Sequence, residues 1–273
     1  MTALFTVPIP ACDDHPGGTV VCSELAPAVY LLTFTSPPDN RLTTAFCQAM
    51  LTALDIVEFS YPPGVLVTTS GITKFYSNGL DLDHAQAVDG FWAHSLYRLF
   101  ARFLTYPMPT VALINGHAFA GGLMMSMHHD YRVMNPAKGF VCLNELDFGA
   151  ALKAPMSSIF RLKLSGHTYR SLVLEAKRFP GSAALEAGIV DVLGGADEAL
   201  RLIKERDLTK KGKTGVYGLL KMEMYRESLE YLSPEGHDKS EARDRGLMEA
   251  EDERMERGRK AVEEWKVSGK AKL

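Results

Sequence analysis

Basic side chains are missing from the whole beginning of this chain: no lysine or arginine occurs before Arg41. A mitochondrial presequence needs an arginine-rich, acid-poor helix, and a secretory signal needs a basic start, so neither is expected there. No basic excess appears elsewhere: 30 Lys and Arg stand against 33 Asp and Glu, for a net charge of −3. Nothing in that balance would neutralise a phosphate backbone, so no nucleic acid is expected as a partner. The four cysteines, Cys12, Cys22, Cys47 and Cys142, are scattered, with no CxxC pair and no histidine at ligand spacing. A disulfide framework belongs to short secreted chains, so reduced thiols and no metal are expected. No apolar run approaches the ~18 residues of a membrane span, and no membrane-spanning segment is predicted. Gly-x-Ser-x-Gly is absent too, which removes the usual serine-hydrolase elbow, and no segment of repeat length recurs.

At 46% hydrophobic and 23% charged residues, the 273-residue chain has globular composition. Val20-Val21 and Val29 to Phe34 read as strands, being β-branched and aromatic. Leu42, Phe46, Met50, Leu54 and Val57 recur at helical spacing over residues 42–58, and Pro62-Pro63-Gly64 stops that helix. Val65 to Thr69 and Thr110 to Ile114 are apolar runs of buried-strand length, separated by a polar loop from Lys74 to Asp83 and a helix over 91–104. Strand-like runs at 131–134 and 139–143 precede helices at 157–164 and 169–176. The alternation predicts an α/β core over residues 1–195. A helical region over 196–273 should follow, its exposed faces carrying opposite charges at i, i+4.

Two loops carry chemical potential. Ser77-Asn78-Gly79-Leu80-Asp81-Leu82 follows a strand, and its glycine permits a turn that presents backbone N–H groups. Gly121-Gly122 stands where the 110–114 segment leads into a helix. Free amides at a helix N-terminus favour negative charge. Two such loops suggest paired N–H donors converging on one oxygen, an oxyanion hole.

The segment Val111-Ala112-Leu113-Ile114-Asn115-Gly116-His117-Ala118-Phe119-Ala120-Gly121-Gly122, with Asp130 nine residues after Gly121, resembles the signature of the crotonase superfamily. Ser77 to Leu82 resembles that family's first oxyanion loop, and Ser182 to Asp191 the stretch before its C-terminal helices. The similarity spans about residues 20–195 and is strongest to the peroxisomal Δ3,Δ2-enoyl-CoA isomerases of plants and fungi. It implies a spiral of ββα units with a C-terminal helical part, assembled as a homotrimer or hexamer. By position, the amides of Leu80 and Gly121 should hold a thioester oxygen, and Ser77, Asn78, Gly79 and Leu80 should line the coenzyme A site. Coenzyme A is then part of the substrate, and no separate cofactor is expected.

The carboxylates decide between activities. Hydratases of the family place a glutamate three residues beyond the oxyanion glycine and a second about twenty residues later. Here the first position is Met124, and the second matches Glu145. Dienoyl-CoA isomerases carry an aspartate eight residues beyond that glutamate, where this chain has Lys153. One carboxylate beside an oxyanion hole suits moving a proton from C2 to C4, so the resemblance implies isomerisation of 3-enoyl-CoA with Glu145 as base. The alternatives are another acyl-CoA activity, hydratase or thioesterase, or a non-catalytic acyl-CoA-binding protein. Asp147 is a spare carboxylate with a structural expectation. His117 is expected to pack, and the adjacent His128 and His129 do not make a chelating i, i+4 pair. The terminal Ala271-Lys272-Leu273 resembles a peroxisomal import tripeptide, which predicts a peroxisomal location and an import receptor as partner.

Overall fold

The computed structural model describes residues 2–269; the terminal Ala271-Lys272-Leu273 lies outside them. Two sheets organise the core. The larger has the order β1 (Ala3–Ile9), β2 (Gly18–Ala26), β3 (Val29–Thr35), β4 (Val65–Ser70), β6 (Thr110–Ile114), β8 (Tyr131–Met134), β10 (Val192–Leu193). β1 to β3 pair antiparallel, and the sheet is parallel from β3 onward. The smaller is a parallel trio of β5 (Phe75–Ser77), β7 (His117–Phe119) and β9 (Val141–Cys142). Each chain turn thus gives one strand to each sheet (β4 then β5, β6 then β7, β8 then β9) before helix returns it. This is a spiral of ββα units.

The large sheet is buried on both faces, which is why β6 reads as an unbroken apolar run. Successive side chains alternate across a strand. Leu32, Phe34, Leu66, Ala112 and Ile114 join the main core with α1 (Thr44–Ser60). Leu31, Val65, Val67, Val111 and Leu113 join a second core, completed by Ala199, Leu202 and Ile203 of a helix at Ala196–Glu205. The expected loop from Lys74 to Asp83 instead contains β5 and α2 (Leu82–Ala87). The helix expected over 91–104 is split: Phe91–Leu96 is a π-helical turn, and only Tyr97–Thr105, α3, is α-helical. β1 was not foreseen, because its alternating burial is interrupted by prolines on either side.

α4 (Gly121–Met127) runs from the small sheet to a buried polar cluster. After α5 (Glu145–Phe148), α6 (Ala154–Lys163) brings Lys163 to that cluster, where its Nζ donates to the carbonyls of Met127 (2.7 Å) and His129 (2.6 Å). Burial pulls the Lys163 pKa well down. Arg132 donates to the Ile189 carbonyl at 2.7 Å and pairs with Asp191 at 3.1 Å. Asp130 accepts from Thr110 N–H (2.9 Å) and Lys221 Nζ.

α7 (Gly166–Leu174), α8 (Gly181–Glu186), α9 (Ala196–Glu205) and α10 (Leu208–Lys211) lead to α11 (Tyr217–Met224), which carries Lys221. α12 (Arg226–Leu232) packs on α3 and α6. α13 (Pro234–Gly269) lies on α6 and the π-helical turn at its start and is exposed over residues 245–268. No helix among the described residues is long and apolar enough to cross a membrane.

Candidate active site

The three groups singled out in the sequence come together at one edge of the small sheet. Leu80 follows the end of β5 by three residues, Gly121 follows β7 by two, and Glu145 follows β9 by three. The strands are in register, Ser77 opposite Ala118 and Phe119 opposite Cys142, so parallel pairing delivers all three to one rim. Carboxyl ends of parallel strands are where α/β folds place their ligands.

The two amides are adjacent. A Cβ built on Gly121 would stand 3.3 Å from Leu80 N. One built on Gly122 would meet the Ser77 carbonyl at 2.4 Å, so only glycine lets α4 approach β5. Leu80 N–H has no acceptor among the described residues, while its carbonyl accepts from Arg41 at 2.8 Å. Gly121 opens α4, ahead of the first intrahelical acceptor. Ala120 before it has φ 45° and ψ −118°, a region that costs a non-glycine residue roughly 1–3 kcal/mol. That turn rotates the Ala120–Gly121 peptide and separates the Gly121 amide from the β7 ladder. Strain is thus located at the atom that would contact a ligand.

Glu145 begins α5 and is 8% exposed, with one carboxylate oxygen buried and without a hydrogen-bond partner. Burial pushes its pKa up to about 7. It shares a cavity of about 800 Å3 with Leu80, Gly121, Met124, Trp92 and Lys153. Met124, in the position where hydratases carry a glutamate, is buried in its wall. The other carboxylate in the lining is Asp89, exposed at the rim. Asp147 is exposed and does not line the cavity.

Of the residues expected at the coenzyme A site, Asn78 and Leu80 line the cavity. Ser77 lies behind it, fully buried, its hydroxyl donating to the Asn40 carbonyl at 2.8 Å, and Gly79 is a turn residue at φ 87°. Arg41, Asp89, Trp92 and Met156 also line it and were not picked out from the sequence. Nothing in their local patterns marks them, since chain segments distant in sequence bring them together. His117 stacks among Phe75, Phe119 and Phe140, whereas His128 and His129 lie against Phe100 and Phe103.

A second polar group was invisible in the sequence. His15 bonds Asp81 at 2.7 Å, and His84 bonds Asp13 at 2.6 Å, so the chain before β2 clasps the start of α2, immediately after Leu80. Cys12, Asp13 and His84 are close enough to share a metal ion. However, His84 Nε2 accepts the Thr44 N–H at 3.0 Å, which leaves the proton on Nδ1, the nitrogen a metal would need. The cluster is therefore built as a clasp on the Leu80 loop.

The match to the enoyl-CoA hydratase/isomerase family covers residues 24–226. The chain belongs to that family. Among its members, it is 33% identical over 213 residues to "Enoyl-CoA delta isomerase 3" of Arabidopsis thaliana, covering 73% of this chain and 89% of the relative. It is 30% identical to "Enoyl-CoA delta isomerase 2, peroxisomal" of the same plant, with the same coverage. The human mitochondrial delta3-delta2-enoyl-CoA isomerase structure shares the fold, with TM-score 0.67 at 22% identity, over 85% of this chain and 98% of that one.

Proposed function

We propose that this family member is a Δ3,Δ2-enoyl-CoA isomerase acting in the degradation of unsaturated fatty acids. The carrying observation is that one buried carboxylate, Glu145, its pKa raised to about 7, faces the cavity beside the Leu80 and Gly121 amides. The thioester carbonyl of a 3-enoyl-CoA sits between those amides. Glu145 removes a C2 proton; the C2–H electron pair becomes the C1–C2 π bond, and the carbonyl pair moves onto the oxygen. The protonated Glu145 then returns the proton to C4, the double bond ends between C2 and C3, and the thioester re-forms. No redox partner enters that balance. Donors aimed at the developing oxyanion are typically worth ~10²–10³ in rate each, and a positioned base contributes ~10²–10⁴.

Hydration would need a second group to hold and activate water, and Met124 cannot supply it. Arg41 is the cation placed to meet the polar end of coenzyme A. The names of relatives with peroxisomal and mitochondrial locations, together with the Ala271-Lys272-Leu273 ending, support a peroxisomal site read by an import receptor. Exposed Val216, Leu219, Leu220 and Met224 on and beside α11 suit a homotrimer or hexamer.

The test is product analysis after mixing the protein with 3-cis- and 3-trans-enoyl-CoA. Accumulation of 2-trans-enoyl-CoA is expected. 3-Hydroxyacyl-CoA as the main product, or free acid and free coenzyme A, would replace this reading with hydratase or thioesterase activity.

A further inference from the structure

The wall of the cavity near Trp92 is built unlike the rest. Trp92 lies in the π-helical turn, a rare geometry that recurs at functional positions, and it lines the cavity together with Lys153 and Met156. Lys153 caps the start of α6, and its Nζ lies 4.9 Å from the centre of the Trp92 indole. The same ammonium forms an ion pair with Glu241 of α13. One side chain therefore ties together three elements: α6, the π-helical turn and the C-terminal helix. His237, one turn before Glu241, sits against the ring of Tyr97 at 5.6 Å and seats α13 on the same wall.

Behind the wall is a second hollow of about 870 Å3, lined by Ala154, Ser157 and Arg161 of α6 with Lys239 and Ser240 of α13. Lys153 and Met156 face the first cavity, while Ala154 and Ser157 face the second. The first turn of α6 is the partition, and Lys153 clamps it shut. A lysine suits this duty: its methylene stem offers apolar surface to a ligand while its charge is held elsewhere. Here the charge is met by a carboxylate and an indole face.

We propose that Lys153, held between Trp92 and Glu241, is the residue that sets acyl chain length, closing the cavity against long chains. This rests on the acyl-CoA reading of the site. Short and medium acyl groups fit inside the partition; a longer chain must displace the clamp to reach the second hollow.

The experiment compares kcat/KM for 3-hexenoyl-, 3-decenoyl- and 3-hexadecenoyl-CoA in wild type, Lys153→Ala and Lys153→Met. Dissociation constants for hexanoyl- and palmitoyl-CoA are measured alongside. The wild type should favour the shorter chains. Lys153→Ala, which removes the stem, should raise the long-to-short ratio at least ~10-fold in both readouts. Lys153→Met, which keeps the stem, should stay within about threefold of the wild-type ratio. Equal loss at all lengths, or an unchanged ratio in Lys153→Ala, would mean that the clamp only supports the fold and would overturn the proposal. Binding without turnover would remove the isomerase reading while the binding ratio still decides the role of Lys153. A wild type that binds no acyl-CoA overturns both.

Discussion

The two ends of α4 are opposites, although only seven residues lie in the helix. At its start the Gly121 amide faces a cavity, the preceding Ala120 is strained, and the nearest acid, Glu145, has an unpartnered oxygen. At its finish the last carbonyls are taken by Lys163, and the adjoining Asp130 by Thr110 and Lys221. Cations at a helix C-terminus complement its dipole, and donors left over at its N-terminus invite an anion. Satisfying every polar group makes the far end rigid. Leaving some unsatisfied at the near end gives it something to do. Substitutions at the near end should therefore change turnover more than stability, and those at the far end the reverse.

The largest effect is expected from Glu145→Gln, which preserves shape and removes the base: kcat should fall by ~10²–10⁴ with acyl-CoA binding kept. In wild type, kcat/KM should rise with pH through about 7, because the base works only when ionised. Stability should move oppositely. The folded-state pKa is raised above the unfolded one, so between about 4.5 and 7 the native state holds the extra proton. Stability is then lost as pH rises through that window. Thermal melting at pH 8 should show Glu145→Gln more stable than wild type by on the order of 1–3 kcal/mol. An equal melting point at pH 8 would show that the site stores no such cost.

At the far end, Lys221→Met leaves Asp130 without its 2.8 Å ion-pair partner in a buried site. Removing one member of such a pair typically costs about 3–5 kcal/mol, read by urea denaturation. Turnover per folded molecule should stay within about twofold, and Asp130→Asn added to Lys221→Met should recover part of the loss, since no lone charge remains. A large drop in kcat at unchanged stability would break the division between the two ends.

The same division explains what could be read from the sequence. The large sheet announces itself: Val29 to Phe34, Val65 to Thr69 and Thr110 to Ile114 are apolar because both faces are covered. The small sheet does not, since β9 is two residues long and β5 and β7 three each. Strands so short are held by their neighbours, and their own propensity cannot reveal them. Yet this sheet gathers Leu80, Gly121 and Glu145, which were found only through the family's motifs. Lys153, Trp92 and the His15–Asp81 and His84–Asp13 contacts depend on residues far apart in the chain, and no local spacing encodes them.

The smallest effect tests whether the near end's strain serves the ligand. Ala120 has a positive φ with ψ −118°, where glycine alone is at ease. Ala120→Gly relieves a strain of roughly 1–3 kcal/mol, and it loosens the unfolded chain, which costs about 0.5–1 kcal/mol. The net change in stability should be a gain of up to about 1 kcal/mol, read as a higher denaturation midpoint. Turnover should fall about two- to tenfold, because a freer Ala120–Gly121 peptide spends part of its time with the amide turned from the thioester oxygen, and a fully lost donor costs ~10²–10³. The loss should appear in kcat, with acyl-CoA affinity little changed, since the amide matters most when charge builds on the oxygen. If Ala120→Gly is stabilised and fully active, the strained turn is incidental to the path of the chain from β7 into α4. If it is stabilised and slower, the alanine is held in place by its effect on one N–H group.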